Sequence, residues 1–407
     1  MRLASLITPS DLPQQWAATV DAERVPGAVL LTGPDGAELL PLALALVAYL
    51  QCTNRQDGDG GARDSCGTCE ACRQNAALGN PDVQYSFPVV GTGVTSGDAM
   101  TKWREEVLAN PYLTHADWLQ AQTNDNKQGN INRQEVMRIL HHLSLARFTS
   151  GFKVVVVWGA DYLMEESNRL LKAIEEPPAD TLILLVTTRA ERILPTISSR
   201  CRVLRLPLPP TDLLADALVA RSGGTGQGGP PLSRADAADI AYNAGGHLGQ
   251  AFAEAARRAE GGSAGPDLAG WLRSCFAGKG APIVKAATQL AALTREQQKA
   301  FLQRALRFVR ELGVARAGEP RPLQLNAAEA EVARKLAALA DWPQLTALAR
   351  ELEDLLVAVE RNANGKIAFA ASSIRIHYIL ARPTEAPATG GGLRPVLAAP
   401  TAAPQAA

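Results

Sequence analysis

Four runs of the chain are almost continuously apolar: AVLLT at 28–32, KVVVVW at 153–158, TLILLVT at 181–187 and RVLRL at 202–206, the last carrying arginines. Runs of this kind, without strict alternation and separated by helical patterns, predict buried strands of a parallel sheet. The segments between them supply the helices. A long apolar helix follows the turn at Gly33–Gly36, from about Leu39 to Leu50. Asn132 with Glu135 three residues on resembles a capping box, and Val136, Ile139, Leu140 and Leu143 then fall on one face. A third helix runs from about Glu165 to Glu176 and is stopped by Pro177-Pro178. Up to about residue 207 the chain therefore reads as α/β with a doubly wound sheet.

After LPLPP (206–210) the strand signals stop and alanine-rich helical patterns take over. Thr211 and Ser233 read as N-caps of two short helices separated by SGGTGQGGPP (222–231), which makes a small helical domain at 208–262. Beyond GGSAG (261–265), helices are expected at 267–277, 282–293, 295–317, 326–340, 343–361 and 366–380, a bundle that buries apolar stripes and occupies 263–382. The Pro/Ala/Gly-rich tail, 383–407, reads as disordered.

Composition narrows the class only slightly. Of 407 residues, 46% are hydrophobic and 20% charged, with Lys+Arg and Asp+Glu at 41 each. Zero net charge gives no general steering toward nucleic acid. The opening MRLASLITPSDLPQQW has no sustained apolar core, and the longest apolar stretch is too short for a bilayer, so the expected location is cytoplasmic, with no membrane partner. Four of the six cysteines crowd into 52–72 as C-x13-C-x2-C-x2-C: Cys52, Cys66, Cys69 and Cys72. In a cytosolic chain such clustering favours metal over disulfides, and four thiolates with no open position suit structural Zn²⁺. An iron–sulfur cluster also takes four cysteines but suits this polar, Gly/Asp-rich insert less well. Cys275, and Cys201 apart from the motif described below, read as small core residues.

GPDGAELL (33–40) stands where a phosphate-binding loop would stand, between strand and helix. A loop of form G-x-x-x-x-G-K-[ST] needs a lysine for phosphate and a hydroxyl for Mg²⁺, but its last three positions here are Glu38, Leu39 and Leu40. Alone, Gly33 to Gly36 reads better as a plain turn between strand and helix.

Three features line up: this failed loop, the four-cysteine insert after the following helix, and AIEEPPADTLILLVTTRAERILPTISSRC at 173–201. Together they resemble the delta-prime subunits of the bacterial DNA polymerase III clamp loader, in the AAA+ superfamily of P-loop NTPase-like folds. The resemblance extends to about residue 382, where NANGKIAF (362–369) is similar to the family's last-helix motif, and LLKAIEEPP with Ser199-Arg200-Cys201 is its most specific part. It implies an α/β AAA+ domain at 1–207 with a zinc module at 52–72, a helical lid at 208–262 and a helical collar at 263–382 that joins a pentamer. The ATPase subunits gamma and tau share the zinc module and the Ser-Arg-Cys motif, so the ATP-site residues must discriminate. Besides Leu39 and Leu40, Trp158-Gly159 stands where the family's ATPases carry an acidic pair, and Gly249 in GGHLGQA where they carry a nucleotide-sensing arginine.

The resemblance thus implies a subunit that binds no ATP and supplies Arg200 in trans as an arginine finger to a neighbouring gamma/tau subunit. It would work beside the delta subunit, and indirectly with the sliding clamp and primed DNA, as part of a DNA-directed DNA polymerase holoenzyme. Read without the resemblance, Arg200 pairs with a local carboxylate or begins a strand. Two other readings are a clamp-loading ATPase of gamma/tau type and a zinc-containing DNA-binding protein, the latter opposed by the lack of a basic stripe. Asn80 before Pro81-Asp82 and Gly27 before the first strand depart from histidines common in the family. Residues 91–130, with Trp103, Tyr112 and Trp118, read as an insertion that packs on the sheet edge or meets a partner.

Overall fold

The computed structural model describes residues 1–57, 63–123, 128–149, 151–222, 232–259, 266–318, 323, 325 and 327–381. Most of the loop at 222–231, the break at 261–265 and the tail at 383–407 lie outside the described residues. The chain forms two compact units, residues 1–264 and 265–407.

In the first unit five strands, β1 (Ala28–Thr32), β2 (Val83–Ser86), β3 (Lys153–Trp158), β4 (Thr181–Thr187) and β5 (Arg202–Arg205), pair in parallel in the order β2-β3-β4-β1-β5. Leu30 sits between Leu185 and Val203, and Val155 between Gln84 and Ile183. Strands β1, β3 and β4 are buried throughout because helical layers cover both faces. Strand β5 corrects the expectation of a buried strand: it lies at the sheet edge, with Leu204 buried and Arg202, Val203 and Arg205 exposed. Strand β2 was not anticipated. Its polar Gln84 and Ser86 obscure the apolar pattern, yet both are buried, Ser86 donating to the Glu135 carboxylate.

One face of the sheet (Val29, Leu31, Val156, Leu184) packs on helices α1 (Leu12–Asp21) and α2 (Leu39–Gln51). All thirteen residues of α2 are buried, and α3 (Glu70–Ala76) packs beside it. Helices α4 (Met100–Ala109) and α5 (His115–Gln122) join this face through fully buried Trp103 and Trp118. Trp103 stacks on Phe87 at 4.6 Å and Trp118 meets the same ring edge-on at 5.3 Å, so both pack beside edge strand β2. The opposite face (Leu30, Val155, Ile183) packs on α6 (Arg133–Ser144). Asn132 caps α6 through the Glu135 amide, but the Glu135 side chain does not return to the Asn132 amide as a capping box requires. It turns inward to Ser86, the Ser96 amide and Arg138 instead.

The single helix expected at 165–176 is also corrected. A 3₁₀ segment spans Ala160–Leu170, kinked at Met164 with φ +46, before the short α7 (Leu171–Glu175). The Ser167 hydroxyl donates to the Met164 carbonyl at 2.6 Å, a local bond that competes with the helical ladder. Helix α8 (Pro195–Ser198) then leads through Ser199 into β5, and α9 (Thr211–Ser222), α10 (Arg234–Ala244) and α11 (Leu248–Ala259) follow. Leu214, Leu218, Ile240 and Leu248 form the core of these last three.

The second unit is helical: α12 (Leu268–Ala277), α13 (Gly280–Ala291), α14 (Arg295–Ala317), α15 (Ala327–Leu339), α16 (Trp342–Glu360) and α17 (Gly365–Ala381). Thr294 with Gln297 and Asp341 with Gln344 form complete capping boxes for its two longest helices. Trp271, Phe308, Leu352, Phe369 and Ile376 fill its core, where the Trp271 indole donates to Ser373 at 2.9 Å. Among the described residues no helix is long and apolar enough to cross a membrane.

Candidate functional site

Cys52 caps the C-terminus of α2, Cys69 is the N-cap of α3, and Cys72 lies in the first turn of α3. Between Cys66 and Cys69, Gly67 takes φ +74, a left-handed turn residue that lets the chain fold back. The four Sγ atoms lie within 4.8 Å of one another, with Cys66–Cys72 at 3.9 Å and Cys52–Cys69 at 4.0 Å. Four thiolates about 2.3 Å from a tetrahedral zinc ion stand about 3.8 Å apart, whereas a disulfide needs about 2 Å. All four cysteines are free.

Backbone amides already point at the sulfurs: Cys66 donates to Cys52 Sγ at 3.3 Å, and Thr68 and Cys69 donate to Cys66 Sγ at 3.4 and 3.3 Å. The side chain of Thr68, then these two amides, hold the Cys66 thiol down to about 6, while burial pushes Cys52 and Cys72 up. The donor set is compatible with one closed four-thiolate zinc site. A residue that the sequence did not single out ties this module down. Asp64 is buried and accepts the Leu3 and Ala4 amides, each at 3.0 Å.

The GPDGAELL segment keeps the strand-to-helix turn. Gly33 approaches the Leu206 carbonyl so closely that a Cβ would stand 2.3 Å from it, and Gly36 takes φ +85 against the His247 ring. The Gly36 carbonyl accepts the Leu248 amide at 3.1 Å, which ties the turn to the start of α11. Glu38 is buried, and its carboxylate accepts the amides of Ile7, at 2.8 Å, and Thr8. Burial pushes this carboxyl up, and the amide bonds from Thr8 and Ile7 oppose that shift. Leu39 and Leu40 are buried in the core of the sheet's face.

Trp158, at the end of β3, packs on the His115 ring at 4.2 Å, and Gly159 follows at φ +82. Asp161 is buried near the start of the 3₁₀ segment, accepting the Thr187 hydroxyl at 2.8 Å with Arg189 3.7 Å away. Gly249 lies in α11, where a Cβ would stand 2.8 Å from the Tyr112 carbonyl. The cavity among Asp35, Leu39, Leu40, Tyr112, His115 and Trp158 measures ≈ 30 Å³. That is room for a water or two, against the ~300 Å³ or more of a small-molecule site.

Burial pushes the His115 imidazole down to about 4, with Asp35 raising it and Arg189 lowering it. The folded chain therefore keeps His115 neutral where the unfolded chain, near 6.5, takes up a proton. The stability this neutral ring supplies is fully present above about pH 6.5 and is lost as pH falls toward 4, by on the order of 2–3 kcal/mol. His115→Phe is expected to remove that share of the acid sensitivity. Denaturant unfolding of both chains near pH 7 and near pH 4.5 checks it; equal acid losses in the two would contradict it.

Arg200 stands on the first unit's surface with 42% of its side chain exposed. Its Nε meets the Glu175 carboxylate, and Nη1 donates to the Thr196 carbonyl at 3.0 Å and to Ser199 Oγ at 3.3 Å. Ser199 closes α8, and Cys201, half-buried, precedes β5. An ion pair this exposed contributes ~0–1 kcal/mol.

Residues 9–210, which hold the four cysteines, the GPDGAELL turn and Arg200, match the family profile described as "DNA polymerase III, delta subunit". DNA polymerase III subunit delta' of Escherichia coli (strain K12) is 29% identical over 198 residues, 48% of this chain and 47% of that protein. Subunit delta' of Pseudomonas aeruginosa is also 29% identical, over 183 residues, 45% of this chain and 43% of the relative. Residues 9–210 of this chain belong to the DNA polymerase III delta' family. DNA polymerase III subunit gamma/tau of Mycobacterium bovis is 27% identical over 208 residues, 50% of this chain but 28% of that protein. The chain spans about half the length of these curated delta' relatives, and the delta' profile stops at residue 210, before α9.

Proposed function

We propose that this delta' family chain is a non-hydrolysing structural subunit of a sliding-clamp loader, presenting Arg200 to the ATP site of a neighbouring gamma/tau-type subunit. The observation that carries the reading is a contrast within one unit. The chain's own loop is filled by its own side chains, Glu38, Leu39 and Leu40, while Arg200 in an intact Ser199-Arg200-Cys201 stands half exposed. An arginine so placed stabilises charge spreading over γ-phosphoryl oxygens through a planar, always-charged fork. Glu175 holds the guanidinium until a phosphate competes for it.

In this reading α9–α11 are the lid and α12–α17 the collar that joins the other subunits. Cys52, Cys66, Cys69 and Cys72 hold a zinc ion whose part is structural, supplying folding energy to a segment with little apolar content. A gamma/tau-type ATPase is disfavoured by buried Leu39 at the lysine position and by Trp158-Gly159 after β3.

Mixing the chain with gamma/tau and delta subunits tests the assignment. A stable complex on gel filtration, with no ATP turnover by this chain alone, is the expected outcome. Failure to co-elute with either subunit would overturn it.

A further inference from the structure

The cavity beside GPDGAELL is closed by residues from outside the loop. Residues 110–115, which join α4 to the first residue of α5, run along its mouth: Tyr112, Leu113, Thr114 and His115 all line it, facing Leu39, Leu40 and Trp158. The segment is hydrogen-bonded within itself and to α5. The Tyr112 amide donates to Asn110 Oδ1 at 3.1 Å, and Thr114 with Asp117 forms a capping box for α5. It also reaches the helical layer beyond the sheet. Tyr112 stacks on Phe252 of α11 at 4.9 Å and 22°, and Arg221 of α9 covers the same Phe252 ring at 4.7 Å. The Tyr112 carbonyl sits so close to Gly249 that a Cβ there would approach to 2.8 Å. One short segment thus touches the turn after β1, the end of β3, and helices α9 and α11.

We propose that residues 110–115 are an internal latch: they fill the lapsed nucleotide site and hold α9–α11 against the sheet without any nucleotide. The name of the site rests on the function proposed above; the latch itself rests on the contacts of Tyr112, His115 and Gly249. The absence of a side chain at Gly249 is part of the device, because the latch carbonyl occupies the space that a side chain there would fill. Leu248, bonded to the Gly36 carbonyl, closes the same contact from the other side.

Hydrogen exchange of the full chain tests this, comparing wild type with Tyr112→Ala and Gly249→Ala, each with and without Mg-ATP. Removing the Tyr112 ring or adding the Cβ is expected to speed exchange across 248–257 by about tenfold or more, while 153–158 and 268–277 stay unchanged. Gly249→Ala is the sharper variant, since alanine ordinarily favours a helix over glycine. Unchanged exchange at 248–257 in both variants would overturn the latch. A change in wild-type exchange on adding Mg-ATP would instead overturn the reading of a lapsed nucleotide site, so the two failures are separable.

Discussion

Arg200→Ala is expected to leave the chain folded and able to assemble while lowering ATP turnover at the neighbouring subunit's site by on the order of 10³-fold or more. The folded state loses only an exposed pair with Glu175 and bonds to Thr196 and Ser199, and such surface pairs are worth ~0–1 kcal/mol. The transition state loses far more, because a guanidinium in a dry phosphate site acts on charge that develops as the γ-phosphoryl group moves. Arg200→Lys is expected to restore little, since an ammonium lacks the planar fork. Steady-state hydrolysis by the reconstituted loader, with clamp and primed DNA, measures it. Turnover equal to wild type in a complex of normal composition would contradict the finger role.

The second large effect concerns the cysteines. The chain is expected to carry about one zinc ion, and Cys66→Ser with Cys72→Ser to abolish it. Residues 63–76 have one two-residue strand (Arg63–Asp64), one short helix and few buried apolar side chains, so their order is expected to depend on the ion. Structural zinc supplies about 10–16 kcal/mol of folding free energy in small domains, far beyond what these elements contribute alone. The double variant is therefore expected to lose hydrogen-exchange protection across 63–76, with strands β1, β3 and β4 still protected. Elemental analysis of the wild-type chain measures the metal directly. Absence of zinc, or abundant iron in its place, would contradict the assignment.

The sequence revealed those features in which one residue type does one job. Continuous apolar runs gave β1, β3 and β4, because burial on both faces admits no alternation. The helices of the second unit were legible within a few residues from their apolar stripes. Tight cysteine spacing brought four sulfurs together. What stayed hidden depended on partners distant in sequence. Strand β2 reads as VQYS, and its buried Ser86 is satisfied by Glu135, 49 residues later. Glu135 itself looked like half of a capping box, but its carboxylate serves Ser86, Ser96 and Arg138.

The GPDGAELL segment shows the same limit. Glu38, Leu39 and Leu40 revealed that a phosphate would be badly received. They did not reveal that Ile7 and Thr8 take the carboxylate, or that His115 and Tyr112 stand at the cavity. Residues 91–130 carry Trp103, Tyr112 and Trp118 without a periodicity that says which face they cover. Their burial against Phe87, Trp158 and Phe252 follows only from the fold.

The central claim is that this chain serves an ATP site on its neighbour and has none of its own. Calorimetric titration of the isolated full-length chain with Mg-ATP tests it most directly. The expected result is no saturable heat up to about 1 mM nucleotide, a ceiling that excludes binding stronger than ~4 kcal/mol. Saturable, Mg²⁺-dependent binding accompanied by hydrolysis would contradict it.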